Sequence, residues 1–247
     1  MHIAVVYQFA RQADDLADEG KGTVNEKLHL LDFYEKEFTN SLTGKYNNEF
    51  WFALHNTIEK YSLTQQYFYD LIYAFKQDIV KNRFETFNEI LWYCSYSANP
   101  VGRIILEFFN VRDTESCQYS DNICTALQLT NFYQDVSIDI QKNRIYIPLD
   151  EIEKFGVTIN QFDLKKNNAN FEKLVEFQVA RTRKYFKDGS QLLKRLPRKL
   201  KRQIYMTILG GEKILDKIEQ LNFNVINNHP KISKVDYIVI LLKALMI

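Results

Sequence analysis

The sequence predicts an all-α fold in a single domain spanning residues 1–247. Three observations carry this expectation. Apolar residues recur with helical spacing along nearly the whole chain. Only 8 Gly and 4 Pro occur in 247 residues, too few for a turn-rich β architecture. No internal repeat, low-complexity tract or long flexible linker divides the chain. Its 46 % hydrophobic and 26 % charged residues are ordinary globular values, which exclude a disordered chain.

Taken in order, the apolar periodicity predicts helices over residues 3–18, 25–40, 47–60, 64–81, 86–98, 100–110 and 119–141. Arg144-Ile145-Tyr146-Ile147-Pro148 reads as extended, with Pro148 as its stop, and the Asn- and Lys-rich stretch 158–170 reads as a solvated connection. Further helices follow at 171–195, 198–221 and 232–246. The last of these holds the most apolar run, Tyr237 to Ile247, but eleven residues including Lys243 cannot span a bilayer, so it reads as a terminal packing helix. Met1 to Val6 show neither a basic leader nor a cleavage-site pattern. Cys94, Cys117 and Cys124 are odd in number and form no CxxC pair, which predicts reduced thiols and a cytoplasmic setting. With 32 basic against 31 acidic residues, a global electrostatic hold on nucleic acid is not expected.

Two helices carry acidic stripes. On the first, Tyr7, Arg11, Asp14 and Asp18 fall within about 60° of one another. Val6, Ala10, Ala13 and Ala17 occupy one flank, with Val5, Phe9 and Leu16 on the far side. A helix so apolar is expected to be buried, with its polar stripe facing a cavity. The plainer reading is a solvated face with a local Arg11–Asp15 pair. On the second, Gln128, Asn131, Asp135 and Asp139 lie within roughly 80° of one face. Leu127, Leu129, Phe132, Val136 and Ile138 surround that stripe. Two such helices facing each other across a pocket would bring together carboxylates that need a divalent cation. Oxygen-only ligands point to Mg²⁺, because His2, His29, His55 and His229 fall near neither pair in sequence and no Glu-x-x-His spacing marks a di-iron bundle.

The chain resembles the squalene/phytoene synthase family of head-to-head isoprenoid synthases. Three motifs carry the resemblance: Tyr7-x3-Arg11-x2-Asp14-x3-Asp18, the stretch Tyr93-Cys94-Ser95-Tyr96-Ser97-Ala98-Asn99-Pro100-Val101-Gly102, and Gln128-x2-Asn131-x3-Asp135-x3-Asp139-x4-Arg144-Ile145-Tyr146-x-Pro148. The resemblance implies a helical bundle around a central active-site cavity. It also implies Asp14, Asp18, Asp135 and Asp139 as Mg²⁺ ligands with Asn131 beside them, and Arg11 and Arg144 as diphosphate contacts. Tyr7 joins the substrate contacts, and Tyr93 and Gln128 would line the site near the reacting carbons. Within the family, FARQADDLADEG and Gln134, where squalene and phytoene synthases usually carry Arg, lean toward the bacterial hydroxysqualene synthases of hopanoid pathways, as does Asn99-Pro100. Members usually begin with a further helix. This chain starts six residues before Tyr7, so either the true start lies upstream or that helix has been lost.

The expected reaction is ionisation of presqualene diphosphate, rearrangement of the carbocation and capture by water, with no NADPH. Leaving-group charge is met by Mg²⁺ and Arg, and the cation is shielded in a dry, aromatic cavity. Tyr93, Tyr96, Phe108, Phe109, Phe132 and Tyr133 are candidates for that lining. The alternatives are condensation of two prenyl diphosphates such as farnesyl diphosphate to squalene, phytoene or presqualene diphosphate, and a non-catalytic helical scaffold, against which all four aspartates argue. Residues 194–202 place six basic residues in nine. They read either as a solvated turn or as a peripheral contact with anionic lipid at the inner face of the membrane. No aromatic residue interleaves with them, as single-stranded nucleic acid would require.

Overall fold

The computed structural model describes residues 2–18 and 22–247, and all regular structure among them is helical. The chain divides into two compact units. One comprises Met1–Lys81 and Ser95–Arg112, the other Asn82–Cys94 and Asp113–Ile247.

The first unit contains α1 (His2–Asp18), α2 (Val24–Leu42), α3 (Glu49–Tyr61), α4 (Gln66–Val80), the last turn of α5 (Phe87–Ser97) and α6 (Asn99–Phe108). Local chemistry sets several starts. Thr23 and Glu26 form a reciprocal capping box at α2, and Asn48 accepts from the Trp51 N–H at 3.1 Å to cap α3. Pro100 suits the first turn of α6, where its missing N–H costs nothing. The core is aromatic. Phe9 lies 5.2 Å from both Phe38 and Phe68, and Trp51 closes the group beside Tyr34, whose hydroxyl donates to Phe9 O at 3.0 Å. Against it α1 buries a single face, Val6, Phe9, Ala13 and Ala17. The burial expected over most of this helix's circumference is therefore corrected: Ile3 is 46 % exposed. Alanines at 13 and 17 are small enough to let α1 seat closely, so one stripe suffices.

Glu107 is buried in this unit yet fully partnered. It accepts from the Thr64 N–H at 2.8 Å, the Thr64 hydroxyl at 2.6 Å and Arg112 Nη1 at 2.6 Å. Arg112 also donates to the carbonyls of Tyr61 and Ser62, tying α6 to the turn between α3 and α4.

The second unit holds the remainder of α5, then α7 (Thr114–Gln134), α8 (Val136–Asp139), α9 (Leu149–Lys154), α10 (Ile159–Asp163), α11 (Ala169–Gly189), α12 (Arg198–Gln220) and α13 (Lys234–Leu245). The helix expected over 119–141 starts earlier, because Asp113 accepts from the Ser116 N–H at 3.0 Å, and it breaks at Asp135. There the carbonyl of Asp135 takes the N–H groups of Ile138 and Asp139 at 2.8 Å and starts α8. Arg144–Pro148 is not helical and runs beside residues 82–85, with a bend at Ile147 in place of the uninterrupted extended run expected there. The N–H groups of Ile145, Leu149 and Asp150 donate to the carbonyls of Asn82, Phe84 and Glu85 at 2.9–3.1 Å. Within 158–170 the expected connection contains α10, started by a Thr158–Gln161 capping box and anchored by Phe162 against Phe171 at 5.5 Å. The helix expected over 171–195 tightens to 3-10 geometry at Ser190–Lys194.

Close approach of α11 to α7 depends on Gly189. A Cβ there would lie 2.9 Å from both the Ile123 nitrogen and the Tyr119 oxygen, atoms that cannot swing aside. Gly189→Ala is expected to destabilise the chain by about 1–3 kcal/mol, read as a lower midpoint in urea unfolding. A midpoint equal to the parent's would show that the two helices separate freely. The three cysteines form no disulfide. Burial pushes the Cys94 thiol up to about 12, which makes it inert at neutral pH.

Candidate active site

On α1 the motif side chains lie away from the buried face. Arg11 is clasped from the next turn, Nη1 to Asp14 Oδ2 at 3.0 Å and Nη2 to Asp15 Oδ1 at 2.7 Å, with all three side chains over 40 % exposed. Such surface pairs add about 0–1 kcal/mol and reorganise readily when a ligand competes for either partner. Asp18, one turn beyond Asp14, is exposed near the end of α1, as is Tyr7 near its start.

On α7 the expected stripe survives as far as the break. Asn131 is exposed, Gln128 and Asp135 are half-buried, and Asp135 closes the helix. Asp139 sits on α8. The backbone brings it back toward the third part of the motif, since the Arg144 N–H donates to Asp139 O at 2.9 Å. Asp139 and Arg144 line one narrow crevice with Phe132 and Tyr146. Phe132 and Tyr146 stack face to face there, centroids 4.0 Å apart and planes 3° from parallel. Tyr93 is buried 6.0 Å from Phe132 and 6.2 Å from Tyr146, and Phe84 stands 5.5 Å from Tyr93. An aromatic wall therefore adjoins a carboxylate and a guanidinium.

The other candidate aromatics are placed differently. Tyr133 is buried with its hydroxyl donating to Gln178 Oε1 at 2.8 Å, so its polar end is committed to a core network. In the first unit, Tyr96 packs on Tyr73 at 5.0 Å and Phe108 on Tyr61 at 4.7 Å. Phe109 ends α6.

A histidine belongs to this region after all. His229 Nε2 lies 2.8 Å from Asp135 Oδ1, which corrects the expectation that no histidine approaches either aspartate pair. Beside it Gln134 Nε2 donates to Pro230 O at 2.9 Å. Two adjacent residues at the end of α7 thus hold the His229-Pro230 step. A separation of 94 positions between Asp135 and His229 leaves no periodic signal by which sequence could pair them. Next to this clasp opens a cleft of about 520 Å³ lined by Asn131, Gln134, His229, Lys231 and Tyr237, with Gly210 and Gly211 of α12 at its floor.

Among the described residues no three His, Cys, Asp or Glu side chains gather into a ready-made metal cage. Within the first unit Asp14 and Asp18 on α1 instead offer hard oxygen donors, and within the second unit Asn131 on α7, Asp135 at its end and Asp139 on α8 do so, each partly open to solvent. That chemistry fits Mg²⁺, which takes few protein carboxylates and completes its shell with water and phosphate oxygens.

A family model described as squalene/phytoene synthase matches residues 1–236. The hydroxysqualene synthase of Rhodopseudomonas palustris is 33 % identical over 193 residues, covering 77 % of this chain and 64 % of that protein. The 15-cis-phytoene synthase of Synechocystis sp. is 29 % identical over 238 residues, covering 91 % and 70 % respectively. The crystal structure of squalene synthase HpnC from Alicyclobacillus acidocaldarius superimposes with a TM-score of 0.86 at 35 % identity, over 90 % of this chain and 84 % of that one. The chain thus spans under two thirds of the Rhodopseudomonas relative's length and more of the other two.

Proposed function

Because this chain belongs to the squalene/phytoene synthase family, we propose that it is a Mg²⁺-dependent isoprenoid-diphosphate enzyme that converts presqualene diphosphate to hydroxysqualene. One observation supports this above the others: Asp139 and Arg144 line the same crevice as the stacked Phe132 and Tyr146. Such an arrangement sets the means of gripping a diphosphate beside a wall suited to a carbocation.

Asp14, Asp18, Asp135 and Asp139, with Asn131, would hold Mg²⁺. Bound there, the metal supplies charge neutralisation for the departing diphosphate. Arg11 and Arg144 donate to diphosphate oxygens as the carbon–oxygen bond breaks, and Tyr7 and Gln128 position the substrate. Arg11 pairs with Asp14 and Asp15 one turn away, each over 40 % exposed, and can exchange either for a phosphate oxygen. Tyr93, Phe132 and Tyr146 present π faces to the allylic and cyclopropylcarbinyl cations, lowering their energy without offering a nucleophile. Water then adds to the rearranged cation and loses a proton, so no hydride donor enters the balance and NADPH is not called for. The two compact units are read as parts of one synthase-like domain over 1–247.

The second reading is head-to-head condensation of two prenyl diphosphates, and the phytoene synthase likeness over 91 % of the chain favours it. Purified protein with Mg²⁺ and no NADPH, given presqualene diphosphate in one reaction and farnesyl diphosphate in another, separates the two. A squalene alcohol from the first reaction alone is expected. Product from farnesyl diphosphate would move the assignment to the condensing branch, and product from neither would favour a scaffold of the same fold.

No described helix is long and apolar enough to cross a membrane. Peripheral attachment through residues 194–202 belongs to the same proposal. Arg195 is already engaged with Asp113 and Glu115 at 2.9 and 2.8 Å, which leaves Arg198 and Lys199 as the exposed cations at the start of α12.

A further inference from the structure

Helix α13 has two unlike faces. Inward it buries Ile240 and Ala244 and turns Asp236 to 12 % side-chain exposure. Asp236 is the sole acid of the helix, and it is consumed locally: it accepts from the Ser233 N–H at 2.7 Å and hydroxyl at 2.6 Å and pairs with Lys217 at 2.9 Å. Outward stand Val235, Ile238, Val239, Leu242 and Leu245, each between 45 and 69 % exposed. At 100° per residue these five fall within about 120°, a continuous apolar stripe without a polar interruption. Lys234 and Lys243 flank it on opposite edges.

The cations at the start of α12 lie at the far end of that stripe. Arg202 donates to Leu245 O over 3.4 Å, which sets the basic run alongside the end of α13. An apolar strip bordered by lysines and extended by a basic turn has the polarity profile of a helix lying in a membrane interface. Its side chains would enter the acyl boundary while the lysines reach the headgroups. A second copy of this chain fits less well, because two-fold pairing of the stripe would bring its flanking cations toward their own counterparts.

We propose that the outer face of α13 is the surface by which this protein lies on an anionic lipid bilayer, with Lys234, Lys243, Arg198 and Lys199 meeting lipid phosphates. The proposal rests on the peripheral attachment inferred above and names the element that would carry it. The apolar stripe supplies most of the hold, and the basic residues select anionic headgroups.

Flotation of the full chain with phosphatidylcholine vesicles, with and without phosphatidylglycerol, tests this. Binding is expected with both vesicles, tighter when phosphatidylglycerol is present and weaker at high salt. The exposed pair Ile238→Gln with Leu242→Gln is expected to lower partitioning about tenfold or more with an unchanged circular dichroism spectrum. If that variant floats like the parent while Arg198→Gln with Lys199→Gln does not, the basic run is the attachment and α13 is not. If the parent floats with no vesicles, both readings fall. If the lipid-free parent sediments as a dimer that the α13 variant breaks, with no flotation, the stripe is an interface between copies.

Discussion

Asp135→Asn is expected to lower Mg²⁺-dependent turnover about 10²-fold or more while leaving the fold no less stable. The two halves of that expectation have separate causes. Asp135 ends α7, where the helix carbonyls already make the local potential negative, so a carboxylate there is disfavoured by about 0.3–1 kcal/mol. His229 at 2.8 Å offsets part of that cost. An amide keeps the shape and removes the charge, so stability should hold or rise slightly. A metal ligand, by contrast, loses its charge where the charge is used. The measurement is steady-state turnover across a Mg²⁺ titration beside a thermal melt. Parent-like turnover in the variant would remove Asp135 from the metal set.

Glu151→Ala is expected to cost about 3–5 kcal/mol of stability, the largest loss from any single polar change in the second unit. Glu151 is 9 % exposed and accepts from Arg181 Nη1 at 2.5 Å, Arg181 Nη2 at 2.9 Å and Gln178 Nε2 at 2.5 Å. Gln178 in turn accepts the Tyr133 hydroxyl, and the Arg181 guanidinium lies 3.4 Å from the centroid of Phe87. The network ties α5, α7, α9 and α11 together. Removing the carboxylate leaves a largely buried guanidinium, bonded to the Gln178 amide oxygen, without its counter-charge, which is what makes the change severe. Replacing both ends, Glu151→Leu with Arg181→Met, is expected to recover much of the loss, since no charge is then left unpaired. Urea unfolding of the three proteins provides the comparison. A single variant within about 1 kcal/mol of the parent would mean that solvent reaches Arg181 freely.

What the sequence made legible follows from range. The helices of both units are periodic, and their starts at Val24, Glu49 and Thr114 carry Thr, Asn and Asp caps in the preceding position. The Arg11–Asp15 pair is an i,i+4 spacing and could be read directly. Tyr93 and Phe132 are both aromatic lining candidates by sequence and pack in one cluster. By contrast, Phe84 and Tyr146 join that cluster through backbone pairing between segments some 60 residues apart, and no local pattern announces such a partner. His229 and Glu151 share this character: each acts through a residue far along the chain. The break at Asp135 carries no sequence signal either, because Val136 and Ile138 continue the apolar spacing through it.

The alternation of chain between the two units has a consequence for biosynthesis. Ile104, part of the first unit's core, belongs to the second visit of the chain to that unit, after residues 82–94 have been made. The first core therefore cannot close while the ribosome is still adding α4 or α5. Phe84 and Tyr93 emerge early but must wait for Phe132 and Tyr146. At about 5–20 residues per second that interval lasts about 3–12 seconds, during which an aromatic surface has no native partner and stands open to chaperones or to neighbouring nascent chains. No single peptide-bond cut can release either unit whole, so fragment expression would yield two incomplete cores rather than two small proteins.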